Sequence, residues 1–182
     1  MAHQYADRRV CWISAGLIKT EGTEQREEAI LLPTEKGSRK MTRQERYPNT
    51  ETFVNYNANP KGRITDDCVV RAICTAMRKP YEEVSRDLFE IGVKTGYTMY
   101  DDKVYGKYLE QNGWIKMRQP RKANGRKYTG KEFCDYGRIK TEADRRMIAH
   151  IGGHHIVAII EGRVWDTWDS TDGCIGNYWI KG

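Results

Sequence analysis

The chain has 182 residues, of which 31% are charged and 38% hydrophobic, and it carries a formal net charge of +6. This length suits one domain with a core of its own, and the 11 Tyr, 5 Trp and 3 Phe residues argue against a disordered chain. No apolar run approaches the roughly 20 residues that span a bilayer, and no charged-then-apolar leader opens the sequence. The composition therefore argues against a membrane protein and favours a soluble one.

The cysteines show no sign of a disulfide framework. They are Cys11, Cys68, Cys74, Cys134 and Cys174, an odd number without regular spacing. We therefore expect a reduced, cytoplasmic protein. In that compartment a free thiol is a buried core residue, a metal ligand or a reactive group.

The first 50 residues contain two short apolar runs, 10–13 and 29–32, each of strand length. Further on, Thr42 followed by Glu45 is a capping-box pattern that predicts a short helix. We interpret residues 1–50 as a β-rich arm or hairpin of uncertain structure, and residues 51–182 as the main domain.

Three helices are predicted in the first half of the main domain. The first begins at Asp67 and stops before Pro80, because apolar residues recur at helical spacing between them. The second starts at Pro80 and ends at Gly92. The third follows a capping-box pattern formed by Thr98 and Asp101 and ends at residues 112–113.

Strands dominate the prediction for the second half. They cover residues 114–117, 155–160, 163–166 and 177–180, and the second of them is apolar at every position from 156 onward, as expected of a strand buried on both faces. A basic surface loop is predicted over 118–131, and a helix from a cap at Thr141 to about residue 152. Helices first and antiparallel strands afterwards predict an α+β fold with a helical half and an antiparallel β-sheet half.

Cys68 stands at the start of the first predicted helix of the main domain. There the positive end of the helix dipole and the free backbone N–H groups favour the thiolate, which is the nucleophilic form of cysteine. The plain alternative is a small buried residue on an amphipathic helix. Cys74, in the helix interior, lacks the advantage of the helix end.

His155 and Asp166 lie on either side of a predicted tight turn at residues 161–162. In an antiparallel hairpin the start of the first strand and the end of the second strand are neighbours, so the carboxylate is expected to orient the imidazole. Asp169 is the rival for this role. The alternatives are a histidine beside a turn and an aspartate that caps its own loop.

Three short segments, in this chain order, resemble papain-like cysteine peptidases. They are Asp-Cys-Val-Val at 67–70, His-Ile-Val-Ala-Ile at 155–159, and Asp-Thr-Trp at 166–168, where the family has Asn-Ser-Trp. The resemblance covers roughly residues 53–182 and extends to small papain-like proteins of bacteriophages and mobile elements. It implies a papain-like fold and a cysteine protease without a cofactor. Its Cys68–His155–Asp166 triad would form an acyl-enzyme, and Trp168 would shield the His–Asp hydrogen bond from water.

The chain departs from that family before the cysteine, where the usual oxyanion-hole glutamine is missing. No Gln stands between residues 45 and 67. An amide from Asn55, Asn57 or Asn59 is the expected substitute, acting with the Cys68 backbone N–H. The Ser-Cys-Trp motif and the large propeptide common in the family are missing as well.

Two readings outside this chemistry remain open. A metal site would draw on His150, His154, His155 and Cys174, but their spacing fits no standard zinc pattern, so no metal is predicted. Nucleic-acid binding would use the basic stretch at 118–131 with Tyr128, but no nucleic-acid-reading motif accompanies it, and an HNH-type nuclease has little support.

A third reading keeps the site and changes the reaction. Cys–His–Asp sites also perform deamidation, transglutamination and acyl transfer, and fold alone does not separate these activities. A binding module without catalysis would not need all three side chains. For a catalytic site of this kind we expect a protein or peptide substrate. If the chain is phage-encoded, we expect it to act in the host cytoplasm, where a host protein is a candidate target.

Overall fold

Five helices and six strands follow one another in the part of the chain that this computed structural model describes, residues 39–140 and 146–182. In chain order they are α1 (Arg43–Arg46), β1 (Phe53–Asn55), α2 (Cys68–Met77), α3 (Tyr81–Thr95), α4 (Asp102–Gln111), β2 (Trp114–Met117), α5 (Gly130–Lys140), β3 (Arg146–Ile151), β4 (His155–Ile160), β5 (Arg163–Asp166) and β6 (Ile175–Lys181). The protein is therefore α+β, as predicted.

The strands form one six-stranded sheet in the order β1-β5-β4-β3-β6-β2. Neighbouring strands are antiparallel except at one edge, where β1 lies parallel to β5. The expectation of an antiparallel sheet is therefore wrong for that pair. β1 has only three residues and lies in an asparagine-rich segment that reads as a loop, so it shows no strand pattern of its own.

Buried side chains fill both faces of the sheet. On one face Ile156 and Ala158 of β4 pack with helices α2, α3 and α4; on the other, Val157 and Ile159 pack with Phe133 of α5. The predicted burial of this strand on both faces is confirmed. Because α2 packs directly against β4, the start of the helix lies beside the start of the strand.

The predicted C-terminal ends are confirmed for α2 and α4, and the predicted end of α3 is wrong. The start of α4 also differs from the prediction, because Asp101 and not Thr98 is its N-cap. α2 stops at Arg78, whose φ of 54° places it in the left-handed region just before Pro80. α4 begins after Asp101, whose side chain accepts a hydrogen bond from the backbone N–H of Lys103. α3 passes Gly92 and ends at Gly96, which has a φ of 75°. Gly92 is needed for close packing, since a Cβ there would lie 2.8 Å from the carbonyl oxygen of Tyr97.

The helix predicted from Thr141 to about residue 152 is wrong. β3 occupies Arg146–Ile151 instead, and α5 lies earlier, over Gly130–Lys140. Met147, Ile148, Ala149 and Ile151 are all buried, so the segment is apolar on both faces, which suits a central strand better than a surface helix. Residues 141–145 lie outside the described residues.

The N-terminal prediction is testable only from residue 39 onward. The two expected strands at 10–13 and 29–32 lie outside the described residues. The capped helix is confirmed, because Thr42 and Glu45 make both hydrogen bonds of a capping box at the start of α1. The compact unit that holds the sheet runs from Lys40 to Gly182, so residues 40–50 belong to it.

None of the described helices is long and apolar enough to cross a bilayer.

Candidate active site

Cys68 is the first residue of α2, and its side chain is half-buried. Asp67 occupies the N-cap position but makes no side-chain cap; its carboxylate instead accepts hydrogen bonds from Asn59, Arg71 and Tyr81. The Asp67 carboxylate therefore accepts no hydrogen bond from the first backbone N–H groups of α2, which lie beside the thiol. This end of the helix favours negative charge on sulfur or on a bound oxygen.

His155 and Asp166 meet across the β4–β5 hairpin, as the sequence predicts. The strands pair from Ala158 with Trp165 to Ile160 with Arg163. The imidazole Nε2 of His155 lies 2.5 Å from Oδ2 of Asp166, whose side chain is only 3% exposed. The carboxylate therefore fixes the orientation of the ring and leaves Nδ1 as the nitrogen available for proton exchange.

The thiol of Cys68 and the imidazole of His155 also interact. Burial by itself raises the pKa of the Cys68 thiol, but hydrogen bonds with the His155 side chain and the Ile156 backbone, together with the charge of His155 and Arg71, lower that pKa below its usual value. Burial lowers the pKa of His155, but the hydrogen bonds with Asp166 and Cys68 and their charges raise it to about 9. Both shifts favour the thiolate–imidazolium pair over the neutral thiol and imidazole.

Asp166 is held by further contacts besides His155. Its Oδ1 accepts a 2.7 Å hydrogen bond from the backbone N–H of Thr167 and lies 3.5 Å from Nη2 of Arg71. Arg71 is only 7% exposed. Sequence reasoning missed this arginine, although it is the one charged side chain in the ten residues of α2, a pattern that points to a buried ionic partner.

The three asparagines proposed for the oxyanion hole are engaged elsewhere. The amide nitrogen of Asn55 donates to the carbonyl of Tyr47 (2.8 Å), that of Asn57 to the carbonyl of Arg63 (3.0 Å), and that of Asn59 to Oδ2 of Asp67 (2.9 Å). The amides of Asn57 and Asn59 shape the loop before α2, while that of Asn55 ties β1 to the segment after α1. The backbone N–H of Cys68, at the start of α2, remains the clearest oxyanion donor.

Trp168 packs beside His155. The two ring centroids lie 5.3 Å apart with an interplanar angle of 35°, and the indole is 38% exposed. Both residues line a cleft of about 360 Å³ together with His154, Asp169 and Ser170, so the imidazole is reached from this side. Asp169, the rival of Asp166, uses its carboxylate to accept hydrogen bonds from Thr171 in its own loop.

The four residues considered for a metal site do not form a metal-binding group in the described part of the chain. The ring of His150 shares a 2.9 Å hydrogen bond with the hydroxyl of Tyr105, while His154 and Cys174 are exposed. Among residues 39–140 and 146–182, no three His, Cys, Asp or Glu side chains gather closely enough to hold a metal ion.

The basic stretch forms the segment before and at the start of α5. Within it Lys122 pairs with Glu132, and Lys131 lies 3.0 Å from a carboxylate oxygen of Asp172. Two lysines of this stretch are therefore paired with carboxylates of the same domain.

Comparison of the chain with protein-family models, with curated proteins and with solved structures gave no match.

Proposed function

We propose that this protein is a papain-like thiol hydrolase, most simply a cysteine protease, with Cys68 as nucleophile, His155 as base and Asp166 as the orienting carboxylate. The observation that carries the proposal is the continuous chain of contacts from Cys68 at a helix N-terminus through His155 to Asp166. A buried structural cysteine has no need of such a chain: Cys74, six residues later in α2, has a pKa raised by burial to about 11.

In the proposed reaction the Cys68 thiolate attacks the carbonyl carbon of a peptide bond. The oxygen of the tetrahedral intermediate takes up negative charge beside the start of α2, where the Cys68 backbone N–H donates to it. The C–N bond breaks as His155 transfers its proton to the leaving amine, and a thioester remains on Cys68. Water then attacks the thioester and His155 takes the water's proton. The C–S bond breaks, and the acid product leaves with the Cys68 thiolate and the protonated His155 restored.

The decisive test is selective alkylation of Cys68 with iodoacetamide at mildly acidic pH, with the modified positions mapped by mass spectrometry. Ordinary thiols are largely protonated there and react slowly. Cys174, an exposed free thiol in the same chain, provides the internal control for accessibility. We expect Cys68 to react faster than Cys174, and this preference to disappear in His155→Ala. Slow and equal labelling of both thiols would remove the basis of the proposal.

The type of acyl chemistry is tested with a mixture of short peptides incubated with wild type and Cys68→Ala. Peptides cut only by wild type indicate a protease. Release of ammonia without chain cleavage indicates a deamidase, and transfer to an added amine indicates an acyltransferase or transglutaminase.

A further inference from the structure

The buried guanidinium of Arg71 lies between two carboxylates. One nitrogen, Nη1, donates to Oδ1 of Asp67 and also to the carbonyl of Thr65 at 3.3 Å. The other, Nη2, lies 3.5 Å from Oδ1 of Asp166. The side chains of Arg71, Asp67 and Asp166 are 8%, 4% and 3% exposed, so solvent does little to weaken these interactions.

We propose that Arg71 is a positioning residue of the active site, which holds Asp166 against His155 and supplies the cation that an aspartate needs where papain-like enzymes carry a neutral asparagine. This inference rests on the proposed function, and it adds a residue that no sequence motif identifies.

The two carboxylate oxygens of Asp166 have different partners. Oδ2 faces His155 at 2.5 Å, while Oδ1 is held by the Thr167 backbone N–H and by Arg71. A carboxylate anchored through one oxygen has a fixed plane, so the other oxygen presents a fixed direction to the imidazole. Without Arg71, one backbone hydrogen bond alone would hold Oδ1.

Arg71 also balances the charge of the buried group that it forms with Asp67 and Asp166. Asp67 and Asp166 each carry one negative charge, and Arg71 is the cation placed between them. Asp67 is fixed from its other side by the Tyr81 hydroxyl at 2.8 Å and by Asn59. Removal of Arg71 would therefore take the cation away from Asp67 and leave Asp166 with His155 as its remaining charged partner, and a buried charge that loses its partner is strongly unfavourable.

The direction of the effect on Cys68 follows from the sign of these charges. The positive charge of Arg71 is one of the influences that lower the pKa of the thiol. Its loss would raise that pKa, so thiolate formation and alkylation would begin at higher pH. Tyr81, Tyr100 and Tyr105 also interact with Asp67 or Cys68, but burial and these negative neighbours raise the pKa of each tyrosine, so they stay neutral below pH 9. Asp66, which precedes Asp67 and interacts with Tyr100, is not substituted in any of the variants, so it does not account for a difference between them.

The experiment measures the rate of Cys68 alkylation against pH in wild type, Arg71→Lys and Arg71→Met. For Arg71→Met we expect the acid limb to move up by about one pH unit, which is about a tenfold loss of rate at mildly acidic pH. Arg71→Lys keeps the charge but has one nitrogen in place of the fork, so we expect about a threefold loss. Lys79→Met removes a paired cation just beyond the far end of α2, and its acid limb should coincide with that of wild type.

A double-mutant cycle separates positioning from a general effect on stability. In an Asp166→Asn background the ion pair with Arg71 is lost and only the direct effect of the Arg71 charge on the thiol remains, so Arg71→Met should shift the acid limb less than it does in wild type. Equal shifts in the two backgrounds would overturn the proposal. If Arg71→Met does not fold, as judged by circular dichroism, Arg71→Lys decides, and an acid limb identical to that of wild type overturns the inference.

The same data distinguish a failure of the proposed function from a failure of the proposed role of Arg71. If wild-type Cys68 shows no enhanced reactivity, the proposed function fails. If wild type is reactive and folded Arg71 variants match it, the function stands and the role of Arg71 falls.

Discussion

At the scale of single residues, Cys68 and His155 change each other's ionisation in opposite directions. Burial raises the pKa of the thiol, but hydrogen bonds and the charge of His155 lower it, while the pKa of His155 rises from 6.5 to about 9 because its bonds to Asp166 and Cys68 outweigh burial. Since the two groups titrate together, the pH profile reports values that belong to the pair. A reactive ion pair is therefore expected to form below the usual pKa of a thiol and to persist up to about pH 9.

We predict a bell-shaped dependence of kcat/KM on pH for any peptide the protein cleaves, with the alkaline limb near pH 9. Above that limb His155 is neutral and has no proton for the leaving amine. In Asp166→Asn the alkaline limb should move to lower pH, because the charge of Asp166 and its hydrogen bond to His155 raise the histidine pKa. An alkaline limb unchanged in that variant would contradict this assignment.

The sequence predicts those residues of the candidate site whose placement follows from local pattern. Cys68 follows a cap position and opens a helical repeat, and a short turn separates His155 from Asp166, so helix and hairpin rules bring each to the right place. Arg71 is different, because its partner Asp166 lies 95 positions away and only the packing of α2 on the sheet brings them together. The asparagines differ for the opposite reason: each of their amides already donates to a residue no more than eight positions away in the chain, which composition alone does not reveal.

At the scale of elements, the contact between α5 and the loop at residues 169–173 supports one wall of the cleft beside His155. The N–H groups of Gly130 and Lys131 donate to the carbonyls of Gly173 (2.9 Å) and Thr171 (3.0 Å). A Cβ at Gly130 would lie 2.9 Å from the backbone of Thr171, closer than side chains pack. Glycine at this position therefore sets the distance between α5 and the loop.

We predict that Gly130→Ala destabilises the protein by about 1–3 kcal/mol, because the backbone of the loop must move to admit the methyl group. Gly106→Ala in α4 is the matched control. A Cβ at Gly106 meets nothing within 4 Å, so alanine should stabilise the helix by about 0.5–1 kcal/mol. Urea denaturation followed by circular dichroism measures both changes. Similar values for the two variants would show that the contact with Thr171 has no special cost.

Most elements of the described unit were predictable from apolar spacing and from caps, and the exceptions have physical causes. β3 was mistaken for a helix because a capping pattern at residues 141–144 precedes it, while its own run of buried residues fits either structure by periodicity alone. The start of α5 was hidden inside a basic stretch that reads as a loop. β1 is stabilised by its neighbour β5 rather than by any pattern in its three residues.

At the scale of the whole molecule, the segment from Lys40 to Asn55 braces the end of β5 that carries Asp166. The guanidinium of Arg43 donates to the carbonyl of Thr167, and Asn55 of β1 pairs with Asp166 in the parallel register. The triad thus depends on residues before the first helix of the main layer as well as on the two elements that supply its side chains.

We predict that a chain beginning at Lys40 keeps the alkylation rate of Cys68 within about twofold of the full-length value, because the compact unit starts there. A chain beginning at Tyr56 lacks α1 and β1 and should lose most of that reactivity and melt at lower temperature. Thermal denaturation and Cys68 labelling of both chains provide the measurement. Equal reactivity of the two truncated chains would show that the brace has no role in the site.

The loop that leads from β1 to Cys68 is fastened at both ends to the same place. At its beginning the backbone N–H of Tyr56 donates to the carbonyl of Asp166 at 2.8 Å, and at its end Asp67 is tied through Arg71 to the Asp166 side chain. A loop with fixed ends tolerates changes of length cheaply, since each doubling adds only about 0.6 kcal/mol of closure cost. Within this loop Asn59 and Thr65 contact Asp67 and Arg71, and Asn57 bonds to Arg63. Residues 60–62 therefore offer a natural site for inserting new segments beside Cys68.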